Sequence, residues 1–386
     1  MLHVALNLIL LSNLPSFEII NPQDLVDPSQ SNLVQVLVTH LSENGDMLVQ
    51  TFGKKEKIPD QTLGGAILST KGELTRLKAL SPLPLPDCST GANSDDNKSW
   101  VIGSKENGVM VGRSQMKTNP NCQKGYPTMW VSGNAQIITT QYGRANSINA
   151  DAKIVGDYFV TETIPQPPPM PPISSDFERG FLGSAAGIEK QLKPFGELKN
   201  SEALRITAAK MIVGNSYALL KSERIEERAT MWNEQLEPTS LLPLKGCTES
   251  HAYSMNESGM VVGRSYTLGT IAAAKRLPTL WNNGSDGVPL PLLEGFTMGM
   301  AKDIDDHGTV VGSLYHPVKK WIAVIWIDQQ PIELNTLLPA DAPYILRDAM
   351  DITNSGAISV RAVKKNNGLA LDLVLIPKIA AAPTNP

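Results

Sequence analysis

The chain has 386 residues, with 34 Lys and Arg against 38 Asp and Glu, and a formal net charge of −4. That balance, with no basic run, excludes an electrostatic footprint for nucleic acid or for an anionic membrane surface. No apolar run approaches the roughly 20 residues of a membrane-spanning helix, and three cysteines are not the count of a disulfide framework.

At the N-terminus, Val4 to Leu11 is apolar. No Lys or Arg precedes it and no small-x-small site follows, so it reads as a buried or closing strand in preference to a secretory leader. Phe17-Glu18-Ile19-Ile20 is strand-like and has no local partner. From Val38 onward one pattern recurs seven times, at 38–51, 101–114, 145–158, 203–216, 252–265, 301–314 and 349–362. The fifth copy, Ala252-Tyr253-Ser254-Met255-Asn256-Glu257-Ser258-Gly259-Met260-Val261-Val262-Gly263-Arg264-Ser265, displays it fully. A fixed period of this kind decides architecture before any single residue can.

Within each copy the first strand ends in a turn carrying Gly45, Gly108, Gly259, Gly308 or Gly356. This is hairpin chemistry that needs a residue at positive φ. Ala152 and Lys210 occupy the same place in two copies, so those turns are expected to be strained or of another type. The second strand carries adjacent aliphatics, as in Ile154-Val155 and Val310-Val311, which implies cover on both faces of a sheet. A column then follows of Val49, Gly112, Gly156, Gly214, Gly263, Gly312 and Val360. Glycine weakens a strand interior, and the expected reason for it here is an aromatic ring lying across it. The candidate rings are the tryptophans of a third strand, in Pro127-Thr128-Met129-Trp130, Ala229-Thr230-Met231-Trp232, Pro278-Thr279-Leu280-Trp281 and Ala323-Val324-Ile325-Trp326. A polar turn and a short alternating stretch complete a four-stranded unit.

Seven such units predict an all-β fold, a seven-bladed β-propeller of four-stranded antiparallel blades. The boundaries fall near 33–86, 87–142, 143–199, 200–248, 249–297, 298–341 and 342–377, with an N-terminal segment 1–32 and a disordered tail 378–386. The last unit supplies only three strands, so residues 17–20 are expected to complete it and close the ring. Cys88 lies just before one unit and Cys122 in a loop of it, so the two could pair if the compartment is oxidising or remain free thiols, while Cys247 reads as a packing niche.

The pattern small-x-x-apolar-Asn-x-x-Gly-x-Val-Val-Gly-x-Ser, followed by Ala-x-x-Trp, resembles the bacterial HAF repeat over about Leu33 to Pro377. The chain departs from it by carrying Pro-Thr-Met, Ala-Thr-Met or Pro-Thr-Leu where that family has His-Ala-Phe. The resemblance implies a β-repeat protein of bacterial origin and an exported location, and it brings no catalytic residue.

In such a ring, the loops between second and third strands and those between blades share one face, and binding residues concentrate on loops held by a rigid scaffold. The residues just before each first strand, Leu37, Trp100, Arg144, Glu202, His251, Met300 and Asp348, should rim the opening there, with Arg113 and Arg264 reaching the same surface. Trp100, Arg144, Glu202, His251, Asp348, Arg113 and Arg264 form the candidate ligand-binding set. Thr161 to Glu178 reads as a loop, whose segment Pro165 to Pro172 favours polyproline II, as a docking strip, a lid or a stiff spacer. Leu219 to Arg228 reads as a solvated helical turn with offset charge pairs. The histidines lack ligand spacing, and Asp303 to Gly308 lacks the downstream Glu of a calcium loop, so no metal and no cofactor is expected. The leading functional reading is a monomeric, non-enzymatic recognition protein that presents this face to a glycan, peptide or protein. The alternative is a propeller glycosidase or lyase with Glu202 and Asp348 as its carboxylates.

Overall fold

The adjacent aliphatics of the second strands require cover on both sides, and in the computed structural model Ile154, Val155, Ile212, Val213, Val261, Val262 and Val311 are all fully buried. The structure describes residues 15–26, 33–55, 58–78, 98–104, 108–119, 122–164, 170–220, 223–267, 275–282, 284 and 286–378. Their strands form seven separate four-stranded sheets, antiparallel throughout. Six sheets take their strands in sequence order, within 33–76, 98–137, 143–192, 200–241, 249–289 and 298–333. The seventh joins Tyr344–Ile352, Ile358–Lys364 and Ala370–Pro377 to Phe17–Ile20. The chain is an all-β, seven-bladed β-propeller, and among the described residues no helix is long and apolar enough to cross a membrane.

Closure is visible at three radii. On the outside, Phe17 pairs with Pro377 and Ile20 with Val374. At the axis, each first strand touches the first strands of both neighbouring blades, that of blade seven meeting that of blade one. At the end bearing the inner hairpin turns, side chains bridge successive blades. Ala208 N donates to Glu257 Oε2 (2.8 Å), Glu257 N to Asp306 Oδ1 (2.9 Å), Asp306 N to Asn354 Oδ1 (2.9 Å), and Asn354 N to Glu43 Oε1 (3.0 Å). The last of these bonds joins residues 311 positions apart, so blade seven is fastened to blade one by the same contact that links its predecessors.

The glycine column has a backbone cause besides the expected ring, which is present only at Gly156, where the third-strand Phe181 would lie 2.8 Å from a Cβ. A Cβ on Gly156, Gly214, Gly263 or Gly312 would lie 2.0, 1.9, 1.9 or 2.1 Å from the carbonyl oxygen of Arg144, Glu202, His251 or Met300 in the adjacent first strand. Each of these first strands shifts register within two residues of that carbonyl, as between Ala252 and Ser254, and such a bulge brings the two backbones together. The tryptophans instead tie blades to one another. The indoles of Trp130, Trp232, Trp281 and Trp326 are fully buried, and they donate to carbonyls of the linker leaving the preceding blade, at Lys78 (2.7 Å), Lys193 (2.8 Å), Leu242 (2.9 Å) and Pro291 (2.8 Å). The strain expected of Ala152 and Lys210 is present, since both sit at positive φ (58° and 63°).

Two loop expectations are corrected. Ile154–Ile164 and Ile173–Ser184 pair along their full length, from Ile154 with Gly183 to Ile164 with Ile173. The segment read as a loop is thus largely a strand hairpin, and residues 165–169 lie outside the described residues. Leu219 to Arg228 is likewise a strand pair, with Leu219 opposite Arg224 after a bulge at Ala218. The expectations for Val4 to Leu11, for Cys88 and for the tail beyond Lys378 lie outside the described residues, as does the Cys122 side chain. Cys247 is half-buried and free.

Candidate functional site

The residues expected at the rim and those after the glycine column are directly opposite one another in the inner strand pair of each blade. Leu37 faces Gln50, Trp100 faces Arg113, Arg144 faces Asp157, Glu202 faces Asn215, His251 faces Arg264, Met300 faces Ser313 and Asp348 faces Arg361. Opposed residues in an antiparallel pair project to the same side of the sheet, so these positions pair up at the looped end of each blade.

In blades three to five these side chains form one network. Arg144 donates through Nε to Asp157 Oδ1 (2.9 Å) and through Nη2 to Glu202 Oε2 (3.0 Å). The other Glu202 oxygen accepts from Arg224 Nη2 (2.9 Å) and Asn215 Nδ2 (3.1 Å). Arg224 continues to Glu227, which also meets His251 Nδ1 (3.0 Å) and the Tyr266 hydroxyl. Tyr217 donates to Glu178, and the Arg224 guanidinium lies 3.9 Å from the Tyr217 ring centroid. Asp157, Glu202 and Glu227 are buried.

Four carboxylates therefore face two guanidiniums and one imidazole, and their protonation divides accordingly. Glu227 is held down at about 2, because the His251 hydrogen bond and the His251 and Arg224 charges outweigh the burial that acts against its anion. Glu178 is pushed up to about 8 by burial first and by the Asp157 charge second. Burial likewise raises Asp157. At neutral pH Glu178 thus keeps its proton and offers an O–H donor.

Beside this network opens a cleft of about 530 Å³, lined by Arg113, Gly125, Tyr142, Gly143, Arg144, Asp157, Phe159, Asp176 and Glu178. Phe159 is 46 % exposed although it sits in a strand. Arg113 is lowered from its ordinary value by burial and by the neighbouring Arg144 charge, which places two guanidiniums on one wall.

Of the expected set, Arg144, Glu202 and His251 come together, and Arg113 joins Arg144 at the cleft. Arg264 stacks nearby, 4.8 Å from the Tyr266 ring centroid and 5.7 Å from that of Tyr253. Asp348 stands apart in blade seven, bonded to Lys302 Nζ at 2.5 Å. Glu202 and Asp348 are three blades apart with separate partners, so the expected acid–base pair is not assembled. The Trp100 side chain lies outside the described residues. Asp157, Glu178, Arg224 and Glu227 were missed, although Glu178-Arg179-Gly180 and Glu227-Arg228-Ala229 repeat a Glu-Arg-small triplet at one position of consecutive blades.

Two carboxylate groupings have the spacing of cation ligands, Glu202 with Glu227 and His251, and Asp157 with Glu178 and Glu202. Arg144 and Arg224 already direct N–H groups at oxygens of both, so a metal cation there would face two guanidiniums. At the opposite mouth of the channel, Asp303 and Asp351 accept the backbone N–H groups of Ile352 (2.8 Å) and Leu41 (2.6 Å). Asp305 accepts those of His307 (3.0 Å) and Thr309 (2.7 Å). The acidic run 303–308 is thus inter-blade and turn chemistry.

No protein-family model and no curated protein matches the chain. Among solved structures it is similar to the β-propeller domain of the trilobed protease from Pyrococcus furiosus, at 10 % identity and a TM-score of 0.46 over 73 % of this chain and 84 % of that one. TolB from Acinetobacter baumannii is 10 % identical, with a TM-score of 0.39 over 89 % and 79 %. Dipeptidyl peptidase 4 from Porphyromonas gingivalis is 8 % identical, with a TM-score of 0.40 over 88 % and 59 %. The architecture of this chain rests on its own seven sheets.

Proposed function

We propose that this propeller is a recognition protein whose looped face binds a carbohydrate in the cleft between blades two and three. The carrying observation is Phe159, a half-exposed aromatic side chain set among fixed donors and acceptors. A sugar ring offers an apolar C–H face for Phe159 and Tyr142, and a rim of hydroxyls that both donate and accept. Arg113 and Arg144 are donors, Asp157 and Asp176 are acceptors, and the protonated Glu178 leaves Asp157 the only anion of that pair. The volume of about 530 Å³ is that of a small-ligand pocket. Exported, bacterial origin belongs to the same proposal and is supported by the HAF-repeat resemblance alone.

Binding without hydrolysis is favoured by the engagement of the acids. Each acid there already holds a partner: Asp157 and Glu202 accept from Arg144, Glu202 also accepts from Arg224, and Glu178 accepts from Tyr217 and meets Asp157, whereas a glycosidase needs one acid and one base free to face the substrate. The test is a glycan array followed by calorimetry on Phe159→Ala and Glu178→Gln. The proposal expects saturable binding of a saccharide, weakened about tenfold or more in Phe159→Ala and retained at neutral pH in Glu178→Gln, whose amide replaces the protonated carboxyl, with the melting temperature kept in both. Unchanged binding in Phe159→Ala would overturn it, and release of a cleaved product would convert it to the enzymatic reading.

A further inference from the structure

On the same face, at blades six and seven, lies a second concavity of about 450 Å³ whose chemistry differs from that of the cleft. Its floor is apolar, formed by Ile322, Leu338, Pro339, Ala342 and Ile345, and Lys319, Arg347 and Lys365 stand around it. Glu333 is the one carboxylate lining it, and that group is bonded to Lys319 Nζ at 3.0 Å. A locally cationic, apolar groove on a chain of net charge −4 is a departure from the average surface.

The groove is also built. Asn335 clamps its linker wall to the first strand of blade seven, donating from Nδ2 to Leu346 O (3.0 Å) and accepting from Leu346 N (2.8 Å). Arg347 Nη1 donates to Lys319 O (2.7 Å), holding the overhanging hairpin tip in place. Within that tip, His316 Nδ1 accepts from both Val318 N and Lys319 N (3.1 Å each). The turn so fixed presents Val318 to solvent at 81 % exposure, the largest value among the exposed apolar side chains. Held outward by that turn, Val318 extends the apolar lining of the concavity.

We propose that this groove docks an acidic peptide segment of a partner protein, with apolar side chains seated between Val318 and the floor and carboxylates paired with Lys365, Lys319 and Arg347. Charge complementarity selects the occupant. A basic segment would meet Arg347 and Lys365 beside the Lys319–Glu333 pair, and a neutral one would offer those two cations no carboxylate. This goes beyond the carbohydrate reading and is independent of it, because the two sites share no residue.

The test is fluorescence anisotropy with a labelled peptide of alternating glutamate and leucine, its lysine and leucine counterpart as control, and a sulfated polysaccharide as competitor. Val318→Asp and Lys365→Glu alter exposed side chains and should fold normally. The proposal expects saturable binding of the acidic peptide only, weakened about tenfold by either substitution and by raising salt from about 0.05 to 0.3 M, and unchanged in Phe159→Ala. Equal binding of both peptides, wild-type affinity in both groove variants, or displacement by the polysaccharide with the same variant sensitivity would overturn it. The last outcome would identify a polyanion surface instead.

Discussion

Replacing Gly263 by alanine adds one carbon at a position where the reason for glycine is a backbone 1.9 Å away. A carbon and a carbonyl oxygen rest at roughly 3.3 Å, so the first strand of blade five must retreat by about 1.4 Å or the second strand must rotate. Overpacking of this kind costs about 1–3 kcal/mol. The retreat also loosens the ladder between His251 and Arg264, at about 1 kcal/mol for each bond weakened. With one ladder bond weakened, Gly263→Ala is therefore expected to cost about 2–4 kcal/mol in urea unfolding followed by circular dichroism. Combining it with Trp281→Phe separates the two explanations of the column. If the Trp281 ring lay over the glycine, the two effects would couple strongly; if the carbonyl of His251 is the obstacle, they add within about 0.5 kcal/mol. A Gly263→Ala protein within about 1 kcal/mol of wild type would refute the backbone argument.

Phe17 is buried among Leu373, Leu375 and Ile358, so Phe17→Ala should cost about 3–5 kcal/mol and, by loosening the closing strand, promote concentration-dependent association in light scattering. Asp303 is raised to about 7 by burial and the Asp351 charge. Its folded value exceeds its unfolded one, so the stability it contributes is present at low pH and is lost as pH rises from about 4 to 7. Asp303→Asn should therefore gain on wild type through that window, read as a melting-temperature difference that widens toward pH 8; a difference independent of pH would count against the buried pair. Glu178 should lose the proton it shares with Asp157 as pH passes about 8, which puts a second anion in the cleft, so saccharide affinity should fall there in wild type and not in Glu178→Gln.

The period carried the fold. A hairpin turn, paired aliphatics and a tryptophan at fixed offsets can satisfy their burial only when like sheets cover one another, and the unpartnered strand Phe17–Ile20 identified the closing contact. The first-strand half of the site was legible for the same reason: register is kept through the core, so Arg144, Glu202 and His251 could be placed at the rim. The third-strand half was not. Leu219 to Arg228 carries charges three and four apart, a helical signature, and Arg224 does bond Glu227 three residues on. A bulge after Ala218 lets a strand hairpin make that same contact, and no charge spacing distinguishes the two. The glycine column was read as a matter of side chains because a first-strand bulge leaves no mark in composition.

The most direct measurement on the carbohydrate reading is amide hydrogen exchange with and without a bound saccharide. The account predicts added protection at residues 142–144, 157–159 and 176–178, with blades six and seven unaffected. Protection confined to the opposite mouth around Asp303 and Asp351, or none near Phe159 under saturating ligand, would contradict it.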